Sequence, residues 1–337
     1  MGPFAVPRHD AVVHSAISVR APLRIALGGG GTDLPSHYRR HGGFVLSAAI
    51  DRHVHMRVAE SVTGRFELDH LERERVDHAE RVEHPILRAA LSRHGSGRPV
   101  RLSSRGDVQP GTGLGSSGAY AVAAVKALSM MGNRDLTPGE LAEAACRIEI
   151  EDLELTVGKQ DQYAASHGGL NAFTFGTDDS VQVKRLDPGQ RLREALDQRF
   201  LLLFTGASRS AAEVLADQVR RTHDCDGELE RNLIANERAG RAACSALAAD
   251  DLDGFAEVMD EQWELKRRRL SHLPMEGIEQ LRELALRNGG RSAMLMGAGG
   301  GGYLLVYAHD PEAVRTALEA PELAFGVDAH GCVATRE

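Results

Sequence analysis

The sequence has little cysteine, no excess of positive charge and no long apolar run, and each shortage excludes a class of protein. Only four of its 337 residues are cysteines, and they form no C-x-x-C pair. Their scattering favours free thiols in a reducing compartment over a disulfide framework. A chain of this length can bury a large core without such cross-links. The cysteines are Cys146, Cys225, Cys244 and Cys332.

The charge balance argues against a protein that coats nucleic acid. The formal net charge is -8, from 40 Lys and Arg against 48 Asp and Glu. An acidic protein can still contain a locally basic pocket for a small anion. No apolar run approaches the length of a membrane span, and the first twenty residues do not resemble a secretory signal. We expect a cytoplasmic protein without nucleic-acid or membrane partners.

The order of strand and helix patterns predicts a mixture of both kinds of element in two domains. Strand-like segments dominate before residue 110, and long helical segments such as Leu252–Arg269 dominate after residue 210. Thr137, Pro138 and Glu140 form a capping-box pattern that predicts a helix start. We place the domain boundary near residue 190, giving domains 1–190 and 191–337. The charged run 72–83 is expected to be a solvated loop or helix face.

Glycine is abundant, with 36 residues, and one run of it precedes a helical pattern in "DVQPGTGLGSSGAYAVAAVKALSMM". The first N–H groups of a helix have no partner within the helix, and they carry partial positive charge. Glycines allow the preceding backbone to curve around a polyphosphate, and a serine hydroxyl can ligate Mg²⁺. The alternative is an N-capped helix after a flexible turn. We assign ATP-phosphate binding to Pro110, Gly111, Gly113, Leu114, Gly115, Ser116 and Ser117.

The sequence contains two other glycine-rich motifs, at residues 28–31 and 297–302. The run at Gly297, Gly299 and Gly302 matches G-x-G-x-x-G, but it precedes a predicted strand rather than a helix, which argues against a dinucleotide site. A loop that closes on a substrate is the better interpretation. The run at residues 28–31 ends in Thr32 and Asp33, where a carboxylate could accept hydrogen bonds from sugar hydroxyls or simply cap a turn.

These three motifs, in this order, resemble the GHMP kinase superfamily over most of the chain. The carrying segments are "APLRIALGGGGTD", "PGTGLGSSGA", "GKQDQYAASHGGLNAF" and "MGAGGGGY". The resemblance implies an α+β fold with an N-terminal domain like ribosomal protein S5 domain 2 and a ferredoxin-like C-terminal domain. It also implies ATP and Mg²⁺ as cofactors. Within the superfamily the chain looks most like kinases that phosphorylate the anomeric hydroxyl of D-glycero-D-manno-heptose 7-phosphate.

The resemblance assigns roles to individual residues. Arg24 lies nine residues before Asp33, the separation at which similar enzymes carry a catalytic arginine and a sugar-binding aspartate. Asp161 corresponds to the catalytic aspartate, and Arg24 would stabilise its charge and that of the moving phosphoryl group. The hydroxyl ligand of Mg²⁺ would be Ser117, or alternatively Ser116. Glu149 would be the second ligand, with Glu151 as the competing candidate.

An acceptor that already carries phosphate needs a second anion site. Arg209 and the cluster at residues 266–269 offer cations, and we favour Arg209 and Lys266. Relatives often carry lysine where this sequence has Met294, so Arg291 was considered as a replacement for that charge. The full set of substrate-binding candidates is Gly30, Gly31, Thr32, Asp33, Arg209, Lys266, Gly299, Gly300 and Gly301.

Three functional alternatives remain open from the sequence. The first is a sugar-phosphate kinase, the second a kinase of a free sugar such as fucose or galactose, and the third a sensor that binds sugar and ATP without turnover. The intact Asp161 and serine loop argue against the sensor. The expected partners are a sugar phosphate and ATP, and a homodimer is one arrangement left open. His53 and His55 share a strand face, but without a third ligand at useful spacing they predict a solvated face rather than a metal site.

Overall fold

The structure is a computed structural model that describes residues 16–206 and 211–337. Within these ranges strands and helices form two sheets with helices packed against them. The strands are β1 (Ile17–Gly28), β2 (Gly43–Glu60), β3 (Phe66–Asp69), β4 (Arg73–Val76), β5 (Val100–Gly106), β6 (Leu170–Phe175), β7 (Val181–Leu186), β8 (Phe200–Phe204), β9 (Gly290–Leu295), β10 (Tyr303–Ala308) and β11 (Val333–Arg336). The α-helices are α1 (Pro35–His41), α2 (Pro85–His94), α3 (Ser116–Met131), α4 (Pro138–Cys146), α5 (Gln160–His167), α6 (Gln190–Gln198), α7 (Ala211–His223), α8 (Gly227–Ala248), α9 (Leu252–Arg269), α10 (Glu276–Arg287) and α11 (Pro311–Leu318).

The larger sheet is organised around β1 and β2, which pair antiparallel with Ile17 opposite Val58. The strand order is β11-β1-β2-β5-β3-β4, and β6 pairs with both β2 and β7. The long β2 has different partners at its two ends, because its first half pairs with β6 and its second half with β5. A register shift in β1 between Pro22 and Leu23 accompanies this change of partner.

Helix α3 packs on β1 and β2 through small apolar residues. Ala119, Ala121 and Ala123 are fully buried, and their short side chains let the helix lie close to the sheet. The backbone N–H of Arg24 on β1 donates to the carbonyl of Leu114 at 2.9 Å. The start of α3 is therefore fixed beside the middle of β1.

Local signals predicted some elements well and missed others. Helix α4 begins with the predicted capping box, in which Thr137 and Glu140 each accept from the other's backbone N–H, and Pro138 follows the cap. A six-residue π-helix, Arg147–Asp152, then continues the chain. The expectation for the charged run 72–83 was wrong in part, because residues 73–76 form β4 and pair with β3. Alternating side chains at a sheet edge can be charged on both faces and still pair through the backbone.

The second sheet is small, antiparallel and ordered β8-β10-β9. An isolated bridge between Leu203 and Glu322 adds a fourth segment beside β8. Helices α9 and α10 pack on this sheet through β9, whereas α8 packs on β1 and β2, and among the strand pairs of the described residues only β3–β5 is parallel. This arrangement confirms the predicted α+β class with two domains.

The chain returns to the first sheet at its end. β11 pairs antiparallel with β1, with Ile17 opposite Arg336, and Val327 bridges Ile50. Residues in the last part of the predicted 191–337 domain thus lie in the sheet of residues 17–186. Across the described ranges, no helix combines the length and apolar character needed to cross a membrane.

Candidate active site

Arg24 and Asp161 form an ion pair at one side of a cavity. Nε of Arg24 donates to Oδ1 of Asp161 at 2.7 Å, and its Nη2 lies 2.6 Å from the same oxygen. Arg24 projects from β1, and Asp161 lies in the first turn of α5. Arg24 is only 7% exposed, so the pair is partly shielded from water. The structure thus brings together two residues that the sequence placed far apart.

The glycine loop before α3 packs directly on this pair. The carbonyl of Gly113 accepts a hydrogen bond from Nη1 of Arg24 at 2.6 Å. Gly111, Gly113 and Gly115 have φ values of 78°, 83° and 76°, a region that disfavours other residues. A Cβ on Gly115 would lie 3.1 Å from carbon atoms of both Arg24 and Asp161. Glycine is required here for conformation and for space.

Helix α3 starts without a side-chain cap. Its N-cap residue, Gly115, offers no hydrogen bond to the first turn, so the N–H groups there remain available. This finding contradicts the alternative of an N-capped helix. Gly118, one turn further, faces Asp161, because a Cβ added to it would lie 2.5 Å from the Cβ of Asp161. The uncapped helix start and the ion pair therefore face the same space.

Ser117 and Glu149 form the candidate metal site. The Ser117 hydroxyl donates to Oε1 of Glu149 at 2.6 Å, and Gln162 donates to Oε2 at 2.6 Å. Glu149 is completely buried, and burial raises its pKa to about 7 despite these two hydrogen bonds. The competing candidate Glu151 is exposed and pairs with Arg147 at 3.4 Å. The geometry therefore favours Glu149.

Asp33 is held beside the ion pair by backbone groups. Its Oδ1 accepts from the N–H of Gly31 at 3.2 Å, and its Oδ2 accepts from the N–H of Gln160 at 3.1 Å. A Cβ on Gly158 would lie 1.8 Å from Oδ2 of Asp33, so only glycine lets the backbone at this position come so close to the carboxyl group. Burial is the main cause that raises the pKa of Asp33. The carboxyl group lines the cavity together with Asp161.

Helices of the second domain hold the first glycine run in place. Gln262 on α9 accepts from the N–H of Gly29 at 2.9 Å. Asn236 on α8 donates to the carbonyl of Gly30, and Gln218 on α7 donates to the carbonyl of Gly31. The cavity is consequently built by both domains. Sequence reasoning missed these three amides, since isolated Asn and Gln residues in helices carry no local signal.

Lys266 contacts the backbone at the start of the third glycine motif. Its Nζ donates to the carbonyls of Leu295 and Gly297 at 2.5 and 2.7 Å. Burial, together with the nearby charges of Arg269 and Arg24, lowers the pKa of Lys266 to about 7. Lys266 lines the cavity, but two of its three protons are used by the protein backbone.

The expectation for Arg291 was wrong. Arg291 binds Asp260 at 3.2 Å and does not line the cavity, whereas Met294 does. Met294 is 6% exposed and packs in the main core. The cation that contacts the third motif is Lys266 on α9, whereas Arg291 lies on β9.

Several predicted substrate contacts are not where they were expected. Gly299, Gly300 and Gly301 are buried away from the cavity, and Gly297 and Ala298 line it instead. Gly299 packs against the side chain of Leu270. A Cβ added at Gly299 would lie 2.2 Å from Cδ1 of Leu270, so a larger residue would clash there. The motif lies between β9 and β10, as expected for a loop and not for a dinucleotide fingerprint.

Thr32, Pro110 and Leu114 do not line the cavity. Thr32 is fully buried, its hydroxyl lies within hydrogen-bond distance of the carbonyls of Gly29 and Phe44 at 2.8 and 2.9 Å, and it accepts from the N–H of Phe44, so it stabilises the turn. Leu114 is a core residue and Pro110 is exposed outside the cavity lining. Arg209 lies outside the described residues.

The cavity itself has a volume of about 210 Å³ and combines these groups. Two cations of the second domain line it that we had not selected, Arg221 on α7 and Arg269 at the end of α9. Arg269 belongs to the basic cluster that the sequence displayed, but the sequence could not show which member faces inward. The lining residues that carry the argument are Arg24, Asp33, Ser117, Asp161, Lys266 and Arg269.

The expectation of a solvated face for His53 and His55 was wrong. His53 is 8% exposed, and its Nε2 lies 2.8 Å from a carboxylate oxygen of Asp328. His55 Nε2 lies 3.0 Å from Asp107, which the fold brings beside both rings. Ligand atoms of His53, His55 and Asp107 all lie within 4.8 Å of one another. These hydrogen bonds account for the cluster as a polar network between β2, β5 and the C-terminal segment.

The residues of this cavity fit a nucleoside triphosphate bound together with Mg²⁺. Ser117 and Glu149 are hard oxygen donors in contact, and within the described ranges no cation pairs with Glu149. Such a buried carboxyl group is stabilised by a divalent cation. The uncapped start of α3 supplies N–H groups for phosphate oxygens.

Comparisons with known proteins agree with this geometry. The family "GHMP kinases N terminal domain" matches residues 81–169, and "GHMP kinases C terminal" matches residues 243–324. D-glycero-alpha-D-manno-heptose 7-phosphate kinase from Campylobacter jejuni is 29% identical over 310 residues, covering 88% of this chain and 90% of that protein. A bifunctional fucokinase/GDP-fucose pyrophosphorylase from Arabidopsis thaliana is 26% identical over 88% of this chain, but only 30% of that protein is covered.

A solved structure shares the fold across nearly the whole chain. The crystal structure of a D-glycero-D-manno-heptose 1-phosphate kinase from Bacteroides thetaiotaomicron has a TM-score of 0.76 at 23% identity, and it covers 95% of this chain and 98% of that one. The protein described here belongs to the GHMP kinases. It is an enzyme, a kinase of a family that uses ATP as the phosphate donor.

Proposed function

We propose that the enzyme transfers the γ-phosphoryl group of ATP to the anomeric hydroxyl of D-glycero-D-manno-heptose 7-phosphate, giving the 1,7-bisphosphate. The observation that carries the chemistry is the Arg24–Asp161 ion pair, packed against the glycine loop and the uncapped start of α3. The observation that supports the acceptor is the 29% identity to a heptose 7-phosphate kinase over 90% of that protein.

In this proposal the glycine loop binds the phosphates of ATP. Backbone N–H groups at Ser116 and Ser117 donate to phosphate oxygens, and the helix dipole favours the negative charge there. The curved backbone at Gly113 and Gly115 lets the phosphates approach Arg24 and Asp161 without a side chain in between. Positioning and charge neutralisation are the main requirements of phosphoryl transfer.

Asp161 acts on the acceptor. Its carboxylate accepts the proton of the sugar hydroxyl as the oxygen attacks the γ-phosphorus, a contribution typically of ~10²–10⁴-fold. Arg24 holds Oδ1 of Asp161 and directs its guanidinium toward charge that develops on the transferred group. Asp33, fixed by the N–H groups of Gly31 and Gln160, accepts hydrogen bonds from other hydroxyls of the sugar.

Ser117 and Glu149 would hold Mg²⁺. When bound, the ion neutralises phosphate charge and orients the β- and γ-phosphates. Glu149 must be ionised to bind the metal ion. Because its pKa is raised, metal binding is favourable only when the carboxyl group releases its proton. Gln162 keeps the second carboxylate oxygen oriented.

The direct test is an ADP-release assay across a panel of sugars and sugar phosphates, with the product position assigned by ³¹P NMR. The proposal expects turnover on heptose 7-phosphate and a new phosphate on C1. Turnover confined to other acceptors would contradict the heptose assignment. Phosphorylation at another carbon would contradict the anomeric assignment.

A second candidate is a kinase of a free sugar. The match to a fucokinase over 88% of this chain favours it. In that case fucose or galactose would support faster turnover than any phosphorylated sugar. The same panel therefore separates the two candidates.

A further inference from the structure

Arg221, Lys266 and Arg269 line the part of the cavity formed by α7 and α9, whereas the carboxylate Asp217, which also lines it, pairs with Arg220 and lies 4.0 Å from Arg221. Arg269 lines the cavity, and its Nη1 donates to the amide oxygen of Asn232 at 2.9 Å. Within residues 16–206 and 211–337, no carboxylate forms an ion pair with Arg269. Arg269 is half-buried, and a partly desolvated guanidinium without a counterion gains from an anionic ligand that supplies the opposite charge.

The charged group that acts on Arg269 is a second arginine, Arg221. Burial, and after it the charge of Arg221, lowers the pKa of Arg269 to about 10. Nη1 of Arg221 donates to the backbone carbonyl of Arg269 at 3.3 Å, and its Nη2 pairs with Asp226 at 2.8 Å. Arg221 is thus anchored to the end of α9 while also lining the cavity.

Arg24, Lys266 and Arg269 line the same cavity. Lys266 lies within electrostatic range of both Arg24 and Arg269. Arg24 belongs to the reacting end, where it binds Asp161. The charge that acts on Arg269 is that of Arg221 and not that of Arg24, so Arg269 belongs to the side of the cavity formed by α7 and α9 and not to the reacting end.

Lys266 is a weaker candidate than Arg269 for binding an anionic group of the acceptor. It donates to the carbonyls of Leu295 and Gly297, and burial reduces the charged fraction of its amine near neutral pH. Arg269 keeps its charge at every physiological pH, and a guanidinium has five N–H donors arranged to bind phosphate in a bidentate manner. A sugar with a phosphate on its distal carbon matches a reacting end at Asp161 and an anion site at Arg269.

We propose that Arg269, supported by Arg221, binds the phosphate that the acceptor already carries, and that this contact selects a phosphorylated sugar over the free sugar. The assignment rests on the proposed sugar-phosphate kinase function. The sequence favoured Lys266 and Arg209 for this anion site, whereas the proposal assigns it to Arg269 on α9 and Arg221 on α7.

The test compares Arg269→Leu with Arg268→Leu. Arg268 is the exposed neighbour on the same helix, so it controls for the loss of a positive charge there. For each protein, kcat/KM is measured with heptose 7-phosphate and with the unphosphorylated heptose. We expect Arg269→Leu to lower the preference for the phosphorylated sugar about 100-fold, mainly through KM, because a charged partner of a buried anion is lost. Arg268→Leu should leave the preference unchanged.

The outcomes separate the two proposals. If the wild-type enzyme does not prefer the phosphorylated sugar, the proposed function fails and this assignment fails with it. If the wild-type enzyme has the preference and Arg269→Leu retains it, only the Arg269 assignment is overturned. An equal loss of kcat on both acceptors would also overturn it, because the arginine would then act on the chemistry or the fold.

A binding measurement covers the case of a poorly folded leucine variant. Inorganic phosphate is titrated as a competitor of heptose 7-phosphate with the wild-type enzyme and with Arg269→Lys, which keeps a positive charge but loses the bidentate geometry. We expect competitive inhibition that is at least about 10-fold weaker in Arg269→Lys. Identical inhibition constants in the two proteins would overturn the assignment.

Discussion

The hydroxyl of Ser117 at the start of α3 donates a hydrogen bond of 2.6 Å to the fully buried carboxyl group of Glu149. These two residues come from different helical segments, and Gln162 on α5 completes the contact. Two oxygens of the types that Mg²⁺ prefers therefore touch at the mouth of the glycine loop. In our account this contact is the metal site of the kinase.

Replacing Glu149 by Gln should weaken Mg²⁺ binding while leaving the hydrogen bonds of the site largely in place. We expect the Mg²⁺ concentration for half-maximal turnover to rise at least ~10-fold, because an anionic ligand is lost. The measurement is turnover as a function of Mg²⁺ at fixed ATP in excess. Glu151→Gln is the matched control, since this carboxylate is exposed and paired with Arg147, and its metal dependence should equal that of the wild type.

The same buried carboxyl group should make the stability of the metal-free protein depend on pH. Folding raises the pKa of Glu149 from 4.5 to about 7, so the folded state binds this proton more tightly than the unfolded state. The stabilisation is complete below pH 4.5 and is lost as the pH rises through 7, a change of about 3 kcal/mol. Denaturant unfolding at several pH values, without Mg²⁺, measures it.

The Glu149→Gln protein isolates this contribution from those of other groups. Its free energy of unfolding, minus that of the wild type, should increase between pH 5 and pH 8. A difference that stays constant over this range would contradict the raised pKa. Added Mg²⁺ should stabilise the wild type more than the variant at pH 8.

Gly118→Ala should disrupt the contact between α3 and Asp161. An alanine inside a helix normally gains roughly 0.5–1 kcal/mol over glycine. Here the added Cβ would lie 2.5 Å from the Cβ of Asp161, and overpacking of this kind typically costs ~1–3 kcal/mol, so the clash outweighs the gain. We expect lower stability and at least ~100-fold lower kcat, since a displacement near 1 Å costs about that factor.

Gly139→Ala is the control for this prediction. Gly139 lies in the first turn of α4, and no atom lies within 4 Å of an added Cβ. This variant should be as stable as the wild type or slightly more stable, with unchanged kcat. Equal kinetics for both alanine variants would show that α3 does not position Asp161.

Arg24→Lys should keep the positive charge but lose the geometry. The guanidinium contacts Oδ1 of Asp161 through two nitrogens and the carbonyl of Gly113 through the third. A lysine ammonium cannot reproduce this planar set of donors. We expect kcat to fall about 100-fold with little change in the KM for ATP. Steady-state kinetics at saturating acceptor would show a full retention of kcat if the arginine were only a surface charge.

Elements with a strong local signal could be predicted from the sequence. The bounds of α9 match the predicted Leu252–Arg269, and the capping box at Thr137 and Glu140 started α4 as expected. The strand β4 was missed because its residues Arg73–Val76 are mostly charged, and its pairing with β3 depends on the fold.

Residues of the site could be predicted from the sequence only where they belong to a recognisable motif. Arg24 and Asp161 meet as the motifs indicated, but the role of each remains a prediction that the experiments above address. Thr32 belongs to a motif and yet stabilises a turn, because its neighbours use its hydroxyl. Arg269 stands in a run of basic residues, and only the packing of α9 distinguishes it from exposed Arg268.

The most direct test of the account is the turnover of Asp161→Asn with heptose 7-phosphate and Mg²⁺-ATP. The amide is isosteric with the carboxyl group but cannot accept the hydroxyl proton as a base. We predict that kcat falls by at least ~10²-fold while ATP binding, measured by calorimetry, changes less than about 3-fold. Wild-type turnover in this variant would contradict the assignment of Asp161 as the base and, with it, the proposed mechanism.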